Sequence, residues 1–171
     1  MEDRFEASFP WPTAWDKRTP KASLPGPDLP GFHRKDRPRF LFGEVKSSSE
    51  AKSPPQVANS GEDCLLKQVK RLLTSEPHRQ QLIEWLLVRT KDSPAWKPVF
   101  DGAIERYATG EACIFGVLVR GGIAPSLNDL ASAHEELADV PGTFDILLLA
   151  FYVPFEKSKW VELVYPTEAS N

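Results

Sequence analysis

Residues 40–49 read FLFGEVKSSS. Phe40, Leu41, Phe42 and Val45 predict a strand that is apolar on both faces and therefore central in a sheet. Side chains two positions apart on a strand share a face, so Glu44 and Lys46 project together, next to Phe42. Burying either charge is costly unless something pairs with it. Two answers stay open from these residues alone: the two side chains satisfy each other as a salt bridge on a half-exposed strand, or they serve a cation and a phosphate.

Upstream, Leu29 to Arg34 reads as one arm of a hairpin, Lys35-Asp36-Arg37-Pro38 as its turn, and Arg39 to Ser47 as the other arm. Folding about that turn brings residues near 28 opposite residues near 45. Asp28 is therefore expected beside Glu44, with Lys46 at the rim. Asp36 is nearer in sequence, but the turn puts it at the hairpin tip and leaves it the weaker choice. The carboxylates of Asp28 and Glu44 and the backbone carbonyl of Val45 make a hard-oxygen set suited to Mg²⁺, with Mn²⁺ as a substitute. A cation there neutralises two carboxylates that otherwise repel. Lys46 can then orient or help deprotonate an attacking water and steady the charge on a phosphate.

The rest of the chain sets the bounds. Its 171 residues, 41% apolar and 26% charged, suit a single domain over 1–171 with a real core. Sixteen prolines cluster outside the apolar runs, and residues 10–30 read as an irregular Pro-rich segment. No run reaches the roughly 18–20 apolar residues of a membrane span. The start, MEDRFEASF, lacks the pattern of a secretory signal. No membrane association and a cytoplasmic setting are expected, with Cys64 and Cys113 as reduced thiols. Residues 1–91 carry 16 basic and 12 acidic side chains, and residues 92–171 carry 5 and 12. That asymmetry fits a phosphate-facing half, or a chance imbalance between two solvated faces. Lys17, Arg18, Lys21, Arg34, Lys35, Arg37 and Arg39 are expected to flank the site as phosphate contacts or as a solvated face.

Residues 1–8 predict a short helical turn. Ser47 to Ser60 predicts a polar, mobile loop. Ser60 is the expected N-cap of a helix with Glu62 and Asp63 in its first turn. Its apolar stripe is Leu65, Leu66, Val69, Leu72 and Leu73, opposite Lys67, Gln68, Lys70 and Arg71. Helices follow over Pro77–Val88, with Leu82, Ile83, Leu86 and Leu87 inward, and over Pro98–Ala108. Ala112–Val119 predicts a buried, uncharged strand, and Ser126 caps a helix reaching Ala138. Phe144–Val153 predicts a second buried strand, and Trp160–Tyr165 an edge strand. The sum is an α/β sandwich with a mixed sheet. Trp11 and Trp15 read as packing residues. His33, His78 and His134 have no metal-ligand spacing, though His33 can reach a phosphate. Glu135, Glu136 and Asp139 read as a solvated face. No Gly-x-Ser-x-Gly or Gly-x-x-x-x-Gly-Lys stretch is present.

Pro27-Asp28, a hairpin, Glu44-Val45-Lys46 and a helix with a polar Gln/Lys face resemble the PD-(D/E)XK, or restriction-endonuclease-like, nuclease superfamily. The resemblance covers roughly residues 1–75 and, more loosely, the strand at 112–119. It implies an αβββαβ core, a mixed central sheet flanked by helices, and Mg²⁺-dependent phosphodiester hydrolysis of DNA. It makes Asp28 and Glu44 metal ligands and Lys46 the catalytic lysine. Gln68 helps to place the water, and Lys67 and Lys70 join Arg34, Lys35 and Arg37 on the nucleic acid. Glu6, or else Glu2, becomes the auxiliary glutamate of a first helix. The family's habits further imply a homodimer or a helicase/ATPase partner, as in bacterial restriction or anti-phage defence. Two other classes stay open: a catalytically inactive nuclease-fold subunit for nucleic-acid binding or assembly, and a protein-interaction module working through its acidic half.

Overall fold

The structure, a computed structural model, describes residues 5–10, 28–34, 36–141, 143–156 and 159. The elements run β1 (Ala7–Ser8), β2 (Leu29–His33), β3 (Arg39–Ser48), α1 (Gln56–Asn59), α2 (Leu65–Thr74), α3 (Glu76–Thr90), α4 (Lys97–Ala108), β4 (Ala112–Gly121), α5 (Asn128–Ala138) and β5 (Asp145–Val153). This is a mixed α/β fold. The expected order of hairpin, helices, strand, helix and strand is observed. The five strands lie side by side in chain order. β2 runs antiparallel to both its neighbours, β1 and β3, whereas β3, β4 and β5 are parallel. Parallel neighbours need long crossovers, and α1–α4 and then α5 supply them.

The side-chain period of two sorts the sheet into two faces. Phe32, Phe40, Phe42, Ala112, Ile114 and Leu118 join the helices in one core, with Leu65, Val69, Leu72, Leu82, Leu86, Phe100 and Leu137. The other face gathers Leu41, Cys113, Phe115 and Val117 with Ala7, and Phe5 and Phe9 pack against it. All five residues of the predicted α2 stripe are buried. Pro77 and Pro98 lie in the first turns of α3 and α4, where a missing N–H costs no helical bond. Arg79, 8% exposed, reaches from α3 to donate to the Leu72 and Leu73 carbonyls at the end of α2. Those carbonyls have no partner within their own helix. The same side chain donates to the Tyr107 hydroxyl of α4.

Several expectations are corrected. Ala7–Ser8 is a short strand rather than part of a helical turn. Ser60 does not cap α2, because α1 already occupies Gln56–Asn59 and α2 starts only at Leu65 after Cys64. Ser126 Oγ accepts the Asn128 N–H just ahead of α5, while the cap position falls on Leu127. Leu87 faces outward at 43% exposure, one residue past the buried Leu86. β5 is half-buried, with Asp145 and Ala150 exposed, rather than buried, because it pairs with β4 on one side only among the described residues. Trp160–Tyr165, Trp11, Trp15, Lys17, Arg18 and Lys21 lie outside the described residues.

The segment after β3, expected to be mobile, is fastened from below. β4 runs past its apolar stretch to include Arg120, which is fully buried. Arg120 Nη2 donates to the Glu50 and Lys52 carbonyls. Its Nε lies 3.0 Å from Asp129 Oδ2 in an ion pair with neither side chain exposed, at an angle short of a hydrogen bond, and Nη1 has no partner. Asp129 in turn accepts from Ser53 Oγ and from the Tyr152 hydroxyl. Residues 49–55 are thus tied to β4, α5 and β5. Cys64 and Cys113 are free and buried, and burial pushes the Cys113 thiol up to about 12. Among the described residues, no helix is long and apolar enough to cross a membrane.

Candidate active site

β2 and β3 pair as far as Leu29 opposite Gly43. β3 then continues through Ser48, paired among the described residues with β4 alone. Beyond the end of β2 its free side is taken up by Asp28, whose Oδ2 accepts the Val45 N–H at 2.9 Å. On an extended strand the N–H and C=O of one residue leave on the same side. The Val45 carbonyl therefore points to the Asp28 side too, where β2 has already ended.

The Glu44 and Lys46 side chains leave the strand on the helix-covered face. Room for them comes from Gly116, the β4 partner of Glu44. A Cβ on Gly116 would stand 2.6 Å from Leu148 Cδ2 and 3.1 Å from Val69 Cγ2. The missing side chain lets α2 sit close to the sheet beside Glu44. Glu44 is 8% exposed. Lys46 Nζ lies 2.8 Å from Glu44 Oε1 and 3.0 Å from Asp63 Oδ2. The second Asp63 oxygen, Oδ1, accepts from Gln68 Nε2 at 3.0 Å. Lys46, Asp63 and Gln68 thus form a chain across the mouth of the site.

Burial pushes the Glu44 carboxyl up; the hydrogen bond from Lys46 offsets part of this, and the nearby Asp28 charge adds to it. Burial alone would lower Lys46, but its hydrogen bonds to Glu44 and Asp63 outweigh that and hold it above the usual lysine value. In this arrangement Lys46 is an ammonium ion. It is suited to steadying negative charge rather than to taking a proton.

The donor set fits a hard divalent cation. Asp28, Glu44 and the Val45 carbonyl offer oxygen only, and a buried carboxylate with a raised pKa is one whose charge a cation would offset. No group of three or more His, Cys, Asp or Glu side chains gathers at metal-ligand spacing among the described residues. A cation here would therefore keep several waters, as Mg²⁺ commonly does.

The structure brings together Asp28, Glu44, Val45 and Lys46, and adds Gln68 through Asp63. It does not bring Glu6 there. Glu6 Oε2 pairs with Arg34 Nε at 2.9 Å, next to the Ala7–His33 pairing. His33 faces Arg39, five residues from Glu44 along β3, or about 17 Å. Arg37, paired with Glu111, belongs to the same hairpin end. Arg34 and Arg37 therefore do not rim the site, and Lys35 lies outside the described residues, as do Glu2 and Pro27. Arg39 is held there by Asp145 and His33. Burial, then the Arg39 and Arg34 charges, lower the His33 pKa. Lys67 and Lys70 project from α2 into surface pairs with Glu62 and Glu136. Such exposed pairs contribute little and release readily.

Asp63 is the site residue that sequence reading missed, because an acidic residue ahead of an apolar stripe looks like a helix-dipole partner. Arg120 was missed too, although an arginine at the end of ACIFGVLV raises the same question as Glu44 and Lys46 in FLFGEVK. Comparison with models of known protein families, with curated proteins and with solved structures gives no match for this chain.

Proposed function

We propose that this protein is a Mg²⁺-dependent nuclease of the PD-(D/E)XK type that hydrolyses phosphodiester bonds in DNA. The observation that carries this reading is one juxtaposition. Asp28 stands beside the free side of β3, where Glu44 and Lys46 share a face 2.8 Å apart. The β2–β3 hairpin, the helix set across its inner face and the parallel β4 and β5 are compatible with the restriction-endonuclease-like core.

Asp28, Glu44 and the Val45 carbonyl would hold the cation, with Mn²⁺ able to replace Mg²⁺. When bound, the cation supplies Lewis-acid polarisation of the phosphodiester and activation of water. The chain's own residues do the rest. Lys46 presents a fixed ammonium to the developing negative charge. Gln68, held through Asp63, offers an amide to orient the attacking water. The α2 cover over Glu44 keeps bulk water from the inner side, which strengthens each of these interactions. A homodimer or a helicase/ATPase partner would supply the DNA grip, because Arg34 and Arg37 lie at the far end of β3. Bacterial restriction or anti-phage defence is the setting this reading favours.

The test is cleavage of supercoiled and linear DNA with Mg²⁺, Mn²⁺ or EDTA, alone and with any partner that co-purifies. Glu44→Ala and Lys46→Ala run alongside. Metal-dependent cutting lost in both variants supports the reading. A second reading, a nuclease-fold subunit that binds without cutting, is favoured by one observation: Lys46 already has two carboxylate partners. DNA binding that ignores metal and survives both substitutions would establish it instead.

A further inference from the structure

We propose that Asp63 is a positioning residue of this site, holding the Lys46 ammonium in place when Glu44 is given over to a cation. The inference rests on the metal reading of Glu44. An ammonium has three donors and no acceptor, and Lys46 directs it at both Glu44 Oε1 and Asp63 Oδ2. A divalent cation taken up by Glu44 competes for that carboxylate and repels the neighbouring ammonium. Without a second anchor Lys46 would swing out toward solvent on its four-carbon stem. Asp63 is that anchor. It lies on the turn between α1 and α2, away from the Asp28 side of the strand. Its side chain is 82% exposed, yet both of its oxygens are engaged, one by Lys46 and one by Gln68. The carboxylate is thus oriented despite its exposure. The turn that carries it follows the segment fastened by Arg120 and Asp129. Asp63 therefore joins the two groups that face a phosphodiester without itself touching one.

The experiment uses the full chain labelled with ¹⁵N-lysine, with the Lys46 ammonium resonance assigned by its loss in Lys46→Arg. Mg²⁺ binding is followed separately by calorimetry, with Glu44→Gln as the control. A hydrogen-bonded ammonium exchanges slowly enough to be seen, and a free one does not. In the wild type the resonance persists with and without Mg²⁺. In Asp63→Ala, which removes every acceptor at that position, it persists without Mg²⁺, because Glu44 still holds the ammonium, and disappears when Mg²⁺ is added. Asp63→Glu keeps it. Turnover in Asp63→Ala falls about tenfold or more with KM unchanged, and Asp63→Glu retains most of it. A resonance that survives Mg²⁺ in Asp63→Ala overturns the inference, and so does one lost from the wild type on adding Mg²⁺. Both leave the metal reading standing. Failure of the wild type to bind Mg²⁺ removes the metal reading of Glu44 first, and the inference with it.

Discussion

Replacing Asp129 with alanine is expected to cost about 3–5 kcal/mol of folding stability, the range for breaking a buried ion pair by removing one partner. The structure argues for the full range. Neither side chain of the Arg120–Asp129 pair is exposed, so the guanidinium left behind cannot turn to water. Arg120 Nη1 already lacks a partner, and its two remaining acceptors are neutral carbonyls. The hydroxyls that Asp129 releases add little, because Ser53 and Tyr152 each keep a partner at Ser126. For a chain of 171 residues, roughly 2–4 °C of melting temperature accompanies each kcal/mol, so the midpoint should fall by about 6–20 °C. Urea unfolding monitored by tryptophan fluorescence measures the change directly, and an unchanged slope shows that only stability moved. Asp129→Asn keeps the size and the acceptor oxygen and should cost less. The double replacement Arg120→Met, Asp129→Leu removes both charges and should return to within about 1 kcal/mol of wild type. A loss under about 1 kcal/mol for Asp129→Ala, or a double variant as unstable as the two single ones added together, would refute the reasoning.

Two further outcomes are expected. Because burial raises the Glu44 carboxyl in the fold, its contribution is fully present below the ordinary carboxyl range and is lost as pH rises through the raised value; in EDTA, the stability of Glu44→Gln relative to wild type should therefore climb with pH across that window, and a relative fall, read from urea midpoints, would reverse the assignment. Gly116→Val should cost about 1–3 kcal/mol by overpacking, because Leu148 and Val69 already fill the space a side chain needs, while Gly116→Ala is milder because the half-buried Leu148 can rotate; equal unfolding midpoints for the two variants would show that α2 is not packed against that glycine.

Much of the sheet was legible because its periodicity is local. FLFGEVK and ACIFGVLV carry their burial in their own composition, and the Lys35–Pro38 turn fixes the hairpin within a residue or so of the observed register. The placement of Asp28 followed from that register alone. Contacts between distant segments were not legible. Asp63 meets Lys46 only because α1 intervenes and delays the start of α2, and the four residues of α1 have too little periodicity to announce themselves. Glu6 was expected on a first helix through the family resemblance, and the two residues of β1 are too few to show a strand pattern of their own. The basic residues of the hairpin were placed at the site by sequence proximity. β3 is ten residues long, which is enough to put its two ends in different neighbourhoods. Arg120 and Asp129 are nine positions apart and belong to different elements, so their pairing is a product of the β4–α5 packing rather than of spacing.

The early end of β2 has a consequence for access. A site under a layer of helices usually demands that the layer move, and the rate of that motion then limits turnover. Here β2 stops at Leu29, and among the described residues no strand flanks β3 on that side beside Val45. Among those residues this leaves a notch in the plane of the strands, where Asp28 stands against Val45. A polyanionic chain could lie along the notch and meet Glu44 and Lys46 from the side. On the proposed reading the packing of α2 on Gly116 would be undisturbed, and binding and core integrity would draw on different parts of the molecule.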